Sequence, residues 1–372
     1  MTFTPLRFQS ALASGGLALM PFVLMQFTFP RQGKIISIND IANWQNPATL
    51  FLVGVLLVST LLHFFLVAKL SLEFLQWRKS GDDMQTFLAD PAMNVGIFSP
   101  VVALGMSVNV LLGPVAFFIP DFAQAVPALL GFGIYPFALL FLLLLFMTVA
   151  VGKTWLFRDG KPVAFNYNWL LDVFAWGMVA LAGSGVTMSA NDPQVALAGS
   201  VLTLCAISIG LFIYAIKGMY LIVAQMTHGN TPAEPLKPAH FIVVPINCLF
   251  AISIYKIAGY TSISLGVDIT SLAFASVVIL FSLALFWIAL CGVAFRNWFR
   301  HQFPKPDFYP SQWGLVCVLV GLEVLAIYSH VSYYPSILLL GFSYVSIAVA
   351  SAVYGFVFLK FSGFIKPALA TV

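Results

Sequence analysis

The sequence predicts an all-α integral membrane protein of ten transmembrane helices, and three observations carry that expectation. Hydrophobic residues make up 61% of the 372-residue chain and charged residues only 8%, whereas soluble domains carry about 25% charged residues. The mean hydropathy is +0.98. Ten apolar runs approach or exceed the about 20 residues needed to cross ~30 Å of hydrocarbon. A soluble fold of this composition would expose contiguous apolar surface and associate.

The runs lie at roughly 9–28, 48–72, 93–118, 126–152, 169–188, 195–225, 239–259, 270–297, 311–333 and 335–360. The first, Ala11 to Phe27, is read as a span rather than a signal peptide, because no small-residue cleavage site and soluble mature region follow it. Turn and charge clusters mark the breaks: Pro30-Arg31-Gln32-Gly33, Ser80-Gly81-Asp82-Asp83, Arg158-Asp159-Gly160-Lys161-Pro162, Asn191-Asp192-Pro193, Gly229-Asn230-Thr231-Pro232, Lys305-Pro306-Asp307 and Tyr334-Pro335. The long sixth run has room for a tilt or a kink. No soluble domain is appended, so residues 1–372 form a single transmembrane domain.

Charge fixes an orientation. With the N-terminus, the even-to-odd loops and the C-terminus on one side, that side collects fourteen Lys and Arg residues, among them Arg7, Lys69, Arg78, Lys79, Lys217, Lys305 and Lys366. The other side has three: Arg31, Lys34 and Lys256. The positive-inside rule then puts both termini in the cytoplasm. Loops are short outside and longer inside, so the chain reads as five consecutive helical hairpins in a plasma membrane, the inner membrane if the source is bacterial.

Several function classes fall away. The net charge of +4 is small and its basic residues are scattered, which argues against nucleic acid. Cys205, Cys248, Cys291 and Cys317 lie in apolar runs without CxxC spacing and read as small buried hydrophobes, not as metal ligands or a disulfide. Walker A, GxGxxG, HExxH and GxSxG motifs are missing, so neither an enzyme nor a cofactor is expected. Transport, if that is the work, would be passive or driven by an ion gradient.

Odd and even spans differ in composition. Odd spans hold Gly15, Pro100, Asn109, Ser184, Pro245, Asn247 and Gly314, whereas span 4 contains the run Phe137 to Phe146 with nothing but Phe, Leu and Ala. Small residues and prolines let helices approach, bend and offer backbone to a cavity. An inner ring of odd helices around a central pore, with even helices outside, accounts for this; ordinary small-residue packing without a pore is the alternative. Glu323 lies about twelve residues into span 9, ~18 Å along the helix. An ionised carboxylate there costs at least ~2.5 kcal/mol unless it is paired or wetted. Glu323 is therefore a candidate coupling or gating group, or an ion-pair partner of Lys256 in span 7. Asp172 at the start of span 5 can reach the cytoplasmic interface. His63 and His330 raise a second possibility, a b-type haem, although hydrogen-bonded packing is the simpler role for each.

The chain resembles the tellurite-resistance/dicarboxylate transporter family, which includes bacterial TehA proteins and plant slow anion channels. The likeness rests on Ala13-Ser14-Gly15-Gly16-Leu17-Ala18 in span 1, on Asp90-Pro91 followed by Phe98-Ser99-Pro100, on Val244-Pro245, and on the segment Phe308-Tyr309-Pro310-Ser311-Gln312-Trp313-Gly314-Leu315-Val316-Cys317. In that last segment Cys317 stands where the family has a phenylalanine gate, and Asn168 to Asp172 lacks the family's span-5 proline. The resemblance implies ten spans as five hairpins, odd helices around a pore, and a homotrimer. It also implies a channel or transporter for small anions: C4-dicarboxylates, tellurite, sulfite or halide-like ions. The alternative function is a quinol-interacting or haem-bearing membrane anchor of an oxidoreductase. The partners expected are the lipid bilayer and a small anion.

Overall fold

Ten long helices dominate the computed structural model, which describes residues 3–79, 81–157, 165–228 and 232–363. They are α1 (Gln9–Thr28), α2 (Pro47–Lys79), α3 (Ser99–Val110), α4 (Pro120–Leu156), α5 (Leu171–Ser189), α6 (Pro193–His228), α7 (Val243–Leu265), α8 (Thr270–Ala294), α9 (Trp313–Ser332) and α10 (Ile337–Phe361). Among the described residues there is no strand. Each helix, with its lead-in turn where it has one and, for α3, its continuation to Phe118, is long and apolar enough to cross a membrane. The expected breaks at Ser80, at Arg158 to Pro162 and at Gly229 to Thr231, and the basic residue Lys366, fall wholly or partly outside the described residues.

Helix ends follow local chemistry rather than the edge of the apolar run. Pro47, Pro120 and Pro193 each open a helix, where a missing N–H costs nothing. The helix α2 continues through Glu73, Arg78 and Lys79, so it is a full two turns longer than the sequence predicts. Good helix formers extend it past the hydrocarbon. The helix α7 runs on to Leu265 because Gly266 takes the left-handed φ of 66° that closes it. In contrast, α1, α3, α5, α7 and α9 are all preceded by 3₁₀ turns, at Pro5–Phe8, Asn94–Phe98, Tyr167–Leu170, Glu234–Ile242 and Pro310–Gln312. The helical path of α3 continues beyond Val110 through a π turn at Leu111–Val115 that contains Pro114, whose ring cannot support a regular α-helical bond.

The alternation seen in composition has a spatial counterpart. For the five odd spans, 61–94% of the best window is buried, against 17–39% for the even ones. Leu61, Phe65, Phe132, Leu139, Phe146, Phe212 and Val345, all on even helices, are exposed, which suits a lipid solvent. The odd helices also touch in a closed order: α1 packs on α3, α3 on α5, α5 on α7, α7 on α9, and α9 on α1. The consecutive pairs α1–α2, α5–α6, α7–α8 and α9–α10 are the other large contacts.

Some polar groups within this apolar mass find partners across helices. His63 of α2 is wholly buried; its Nδ1 donates to the Ala11 carbonyl (2.7 Å), and its Nε2 lies in hydrogen-bond reach of the Ser107 hydroxyl of α3 (2.9 Å), which also reaches the Ala103 carbonyl (3.0 Å). That assignment follows because a carbonyl can only accept. The ring thereby pins α1, α2 and α3 together. Its neighbour Gly15 has no room for a side chain: a Cβ there would meet Met106 at 2.5 Å and His63 at 2.7 Å.

Candidate functional site

One cavity of about 440 Å³ lies among the odd helices, and each of them lends it one stripe of residues. The stripe of α1 is Leu12, Gly16, Leu19 and Val23; that of α5 is Phe174, Met178, Leu181 and Gly185; that of α9 is Cys317, Val320, Gly321 and Val324. Steps of three and four keep a helical stripe on one face. Pro245, Cys248 and Leu249 of α7, with Met106 and Asn109 of α3, complete the wall.

One end of the cavity, its mouth, lies toward the C-terminal ends of α1, α7 and α9. Gln26, Phe27, Arg31, Lys34, Tyr255, Lys256 and Tyr328 border it. Gln26 holds the following loop in place, donating to the Lys34 carbonyl (2.8 Å) and accepting from the Ile36 amide (2.7 Å). Arg31 donates to the Gln26 carbonyl, and Lys34 donates to Asn191 (3.3 Å). Tyr328 packs between Phe27 and Tyr255, with ring centroids 4.9 and 5.1 Å away. Lys256 is half-buried, with its Nζ 5.8 Å from the Tyr328 ring. Arg31, Lys34 and Lys256 are the charged residues of the lining, which contains no Asp or Glu.

Asp40, in the same loop, bonds the Ser37 amide (2.8 Å) and the Gln32 amide (3.2 Å). Burial pushes its carboxyl upward, but these hydrogen bonds, that of the Ser37 hydroxyl and the Arg31 charge outweigh it. The net effect holds Asp40 below the usual carboxylate value.

A second, much smaller cavity of about 30 Å³ lies toward the opposite helix ends, bordered by Gln9, Asn168, Ser311 and Gly314. Leu12, Phe174, Pro245 and Cys317 line both cavities. These four form the waist between them, and all are buried, Leu12 to 3% exposure, Phe174 to 5% and Cys317 to 9%.

The candidate residues named from sequence divide against this geometry. Cys317 and Pro245 lie at the waist, Asn109 lines the large cavity and Gly314 the small one. Gly15, Pro100, Ser184, Asn247 and Glu323 border neither. Gly15 packs against His63 and Met106, and the Ser184 hydroxyl donates to the Leu181 carbonyl (2.7 Å). Glu323 is completely buried in the wall, and neither carboxyl oxygen has a hydrogen-bond partner. The Glu323–Lys256 ion pair does not form; the ion pairs among the described residues are Arg7–Glu73, Lys217–Asp172 and Lys237–Glu234. Asp172 is fully enclosed and bonds Lys217 of α6 at 2.8 Å.

Phe174 and Leu12 are not marked by the sequence; Gly16 and Gly185 stand out only as members of small-residue stretches, and Arg31 and Lys34 only as loop charges. The helical stripe through Cys317 would have led to Val320, Gly321 and Val324, but nothing in the sequence marks Phe174 among its apolar neighbours. Both ring nitrogens of His63 are engaged, and His330 Nδ1 accepts from the Ser336 amide (2.8 Å). Neither histidine borders a cavity. Among the described residues, no three His, Cys, Asp or Glu side chains gather closely enough to hold a metal ion. Comparison with protein-family models and with curated proteins finds no match for the chain.

Proposed function

We propose that this protein is a channel or transporter for small anions, with the path running through the odd helices from the cation-bordered cavity to the waist and beyond. The observation that carries this reading is the sign of the lining: a cavity enclosed in an apolar bundle whose charged residues are all cations. Cations at the edge of a low-dielectric cleft concentrate anions and repel other cations. The closed order of odd-helix contacts supports a central conduit, and the consecutive packed pairs support a chain of helical hairpins. The charge asymmetry of the sequence supports cytoplasmic termini.

The resemblance to the tellurite-resistance/dicarboxylate transporter family supplies the expected range of anions and a homotrimer. It also calls for an aromatic gate, which Cys317 cannot be. Phe174 fills that role from α5, since its ring borders both cavities at the level of Cys317.

Chloride and nitrate flux from proteoliposomes tests the reading. Phe174→Ala widens the waist, and relief of about 1.4 kcal/mol in the passage barrier raises flux about tenfold. Flux at the protein-free level for both wild type and Phe174→Ala would overturn it.

A further inference from the structure

We propose that the large cavity is a binding chamber for an organic monoanion with an apolar body, its charged head at Lys256 and its body directed toward Phe174. This deepens the conduit reading and rests on it for the sign of the ligand's charge. The division of labour along the chamber carries the inference. Arg31, Lys34 and Lys256 all lie at the mouth, and two of the three are already engaged. Arg31 holds the Gln26 carbonyl and faces Asp40, and Lys34 holds Asn191. Lys256 makes no ion pair among the described residues; the neighbour its ammonium has is the Tyr328 ring. It sits half-buried at the rim of an enclosed space, where a carboxylate gains more from it than at an open surface.

Below Lys256 the chemistry changes. Eleven residues separate Lys256 from Pro245 on α7, ~16 Å of helix, and the stripe between them is Cys248, Leu249 and Ile252. Asn109, the one amide at depth, donates to the Gly105 carbonyl (3.0 Å) and lies 3.9 Å from the Met178 sulfur. With its amide nitrogen engaged there, the oxygen left over is an acceptor, which offers an anion nothing. A second carboxylate placed at that depth would lose its water with no cation or free donor to replace it. A hydrated inorganic ion gains nothing from Leu, Met and Phe walls. An alkyl or aryl body gains with every carbon it buries.

The test uses the full chain in nanodiscs and titrates straight-chain monocarboxylates from acetate to octanoate, with protein-free nanodiscs subtracted. Affinity should rise roughly threefold to fourfold per methylene. Lys256→Gln should weaken every member of the series by about tenfold or more while leaving the increment per methylene intact, and Lys256→Arg should retain binding. Suberate, with a carboxylate at each end, should bind at least tenfold more weakly than octanoate. Affinity that is flat with chain length, that is indifferent to Lys256→Gln, or that is equal for suberate and octanoate overturns the proposal. Chloride flux is measured on the same preparations: binding without flux sustains the chamber and removes the conduit, and flux without binding removes the chamber alone.

Discussion

The buried pair between Lys217 and Asp172 offers the sharpest energetic test of the bundle. The ammonium of Lys217, on α6, donates to an Asp172 oxygen (2.8 Å) and to the Trp169 carbonyl (3.0 Å). It also lies 3.4 Å from the centre of the Trp155 ring and 4.4 Å from that of Trp169. The other Asp172 oxygen accepts from the Val173 amide at 2.8 Å. Side-chain exposures of 4% and 0% leave no water to replace a lost partner. Lys217→Met strands a buried carboxylate with one amide bond, which costs about 3–5 kcal/mol. Asp172→Asn leaves the carbonyl, the two rings and an amide oxygen around the ammonium, so it costs less. The double change Asp172→Leu with Lys217→Met removes both charges and should return to within ~1 kcal/mol of wild type, because desolvation of such a pair consumes most of its attraction. Unfolding midpoints in mixed micelles, followed by tryptophan fluorescence, read all three. A cost under ~1 kcal/mol for Lys217→Met, or a double variant as weak as the worse single one, would refute the reasoning. The pair also bears on the site, for Asp172 is two residues from Phe174 on α5, and the lock fixes how α5 presents that ring.

Two further outcomes follow from the waist and the mouth. Cys317→Phe adds a ring where four side chains already meet; flux should fall to the protein-free level, with an overpacking cost of about 1–3 kcal/mol in unfolding, and unaltered flux would remove Cys317 from the path. Asp40 has a depressed carboxyl, so its stabilisation of the mouth loop is present above the ordinary carboxylate value and is lost as pH falls through its own, lower one; Asp40→Asn should raise amide exchange at Gln32 and Ser37 at neutral pH and abolish the acid-induced rise at those amides, as read by hydrogen–deuterium exchange.

The sequence was informative about which segments cross and poor about which way each one faces. Ten runs were visible because lipid demands them, and the even–odd difference was visible because Gly and Pro accumulate where helices are enclosed. The face was not. Gly15 was named where Gly16 borders the cavity, Ser184 where Gly185 does, Asn247 where Cys248 does, and Glu323 where Val324 does. Each of these four misses is a single residue, or about 100° of helix rotation; Pro100 is a fifth miss, six residues before Met106, where α3 first reaches the cavity. In a soluble amphipathic helix polarity reports rotation, since polar residues seek water. Within lipid a polar side chain instead seeks the nearest hydrogen-bond partner, and that is the helix's own backbone or a neighbouring helix: Ser184 bonds Leu181, and His63 bonds Ala11 and Ser107. The helix was therefore legible, the depth was legible except at Pro100, and the azimuth was not. The waist suffers most from this, because Leu12 and Phe174 are apolar residues in apolar helices and differ from their neighbours only in where they point.

Glu323 turns that lesson into a measurement. Its position midway along α9 suggests a coupling group, and its residue type suggests a proton carrier. Geometry separates it from the path: Cys317, Val320, Gly321, Val324 and Tyr328 form the cavity stripe of α9, and Glu323 lies one step round from Val324 with both oxygens unpartnered in the wall. For its carboxyl to reach the cavity, α9 would have to rotate by about 100°. Such a rotation would pull Gly321 out of its seat against α7, where a Cβ at that glycine already meets Cys248 at 3.0 Å. Tight seating of this kind allows discrete rearrangement but not gradual turning. Glu323→Gln keeps the shape and removes the titration, so the pH dependence of anion flux should match wild type and unfolding should shift by less than ~1.5 kcal/mol. A displaced pH profile would mean that α9 does rotate during transport and that the cavity described here is one of two states.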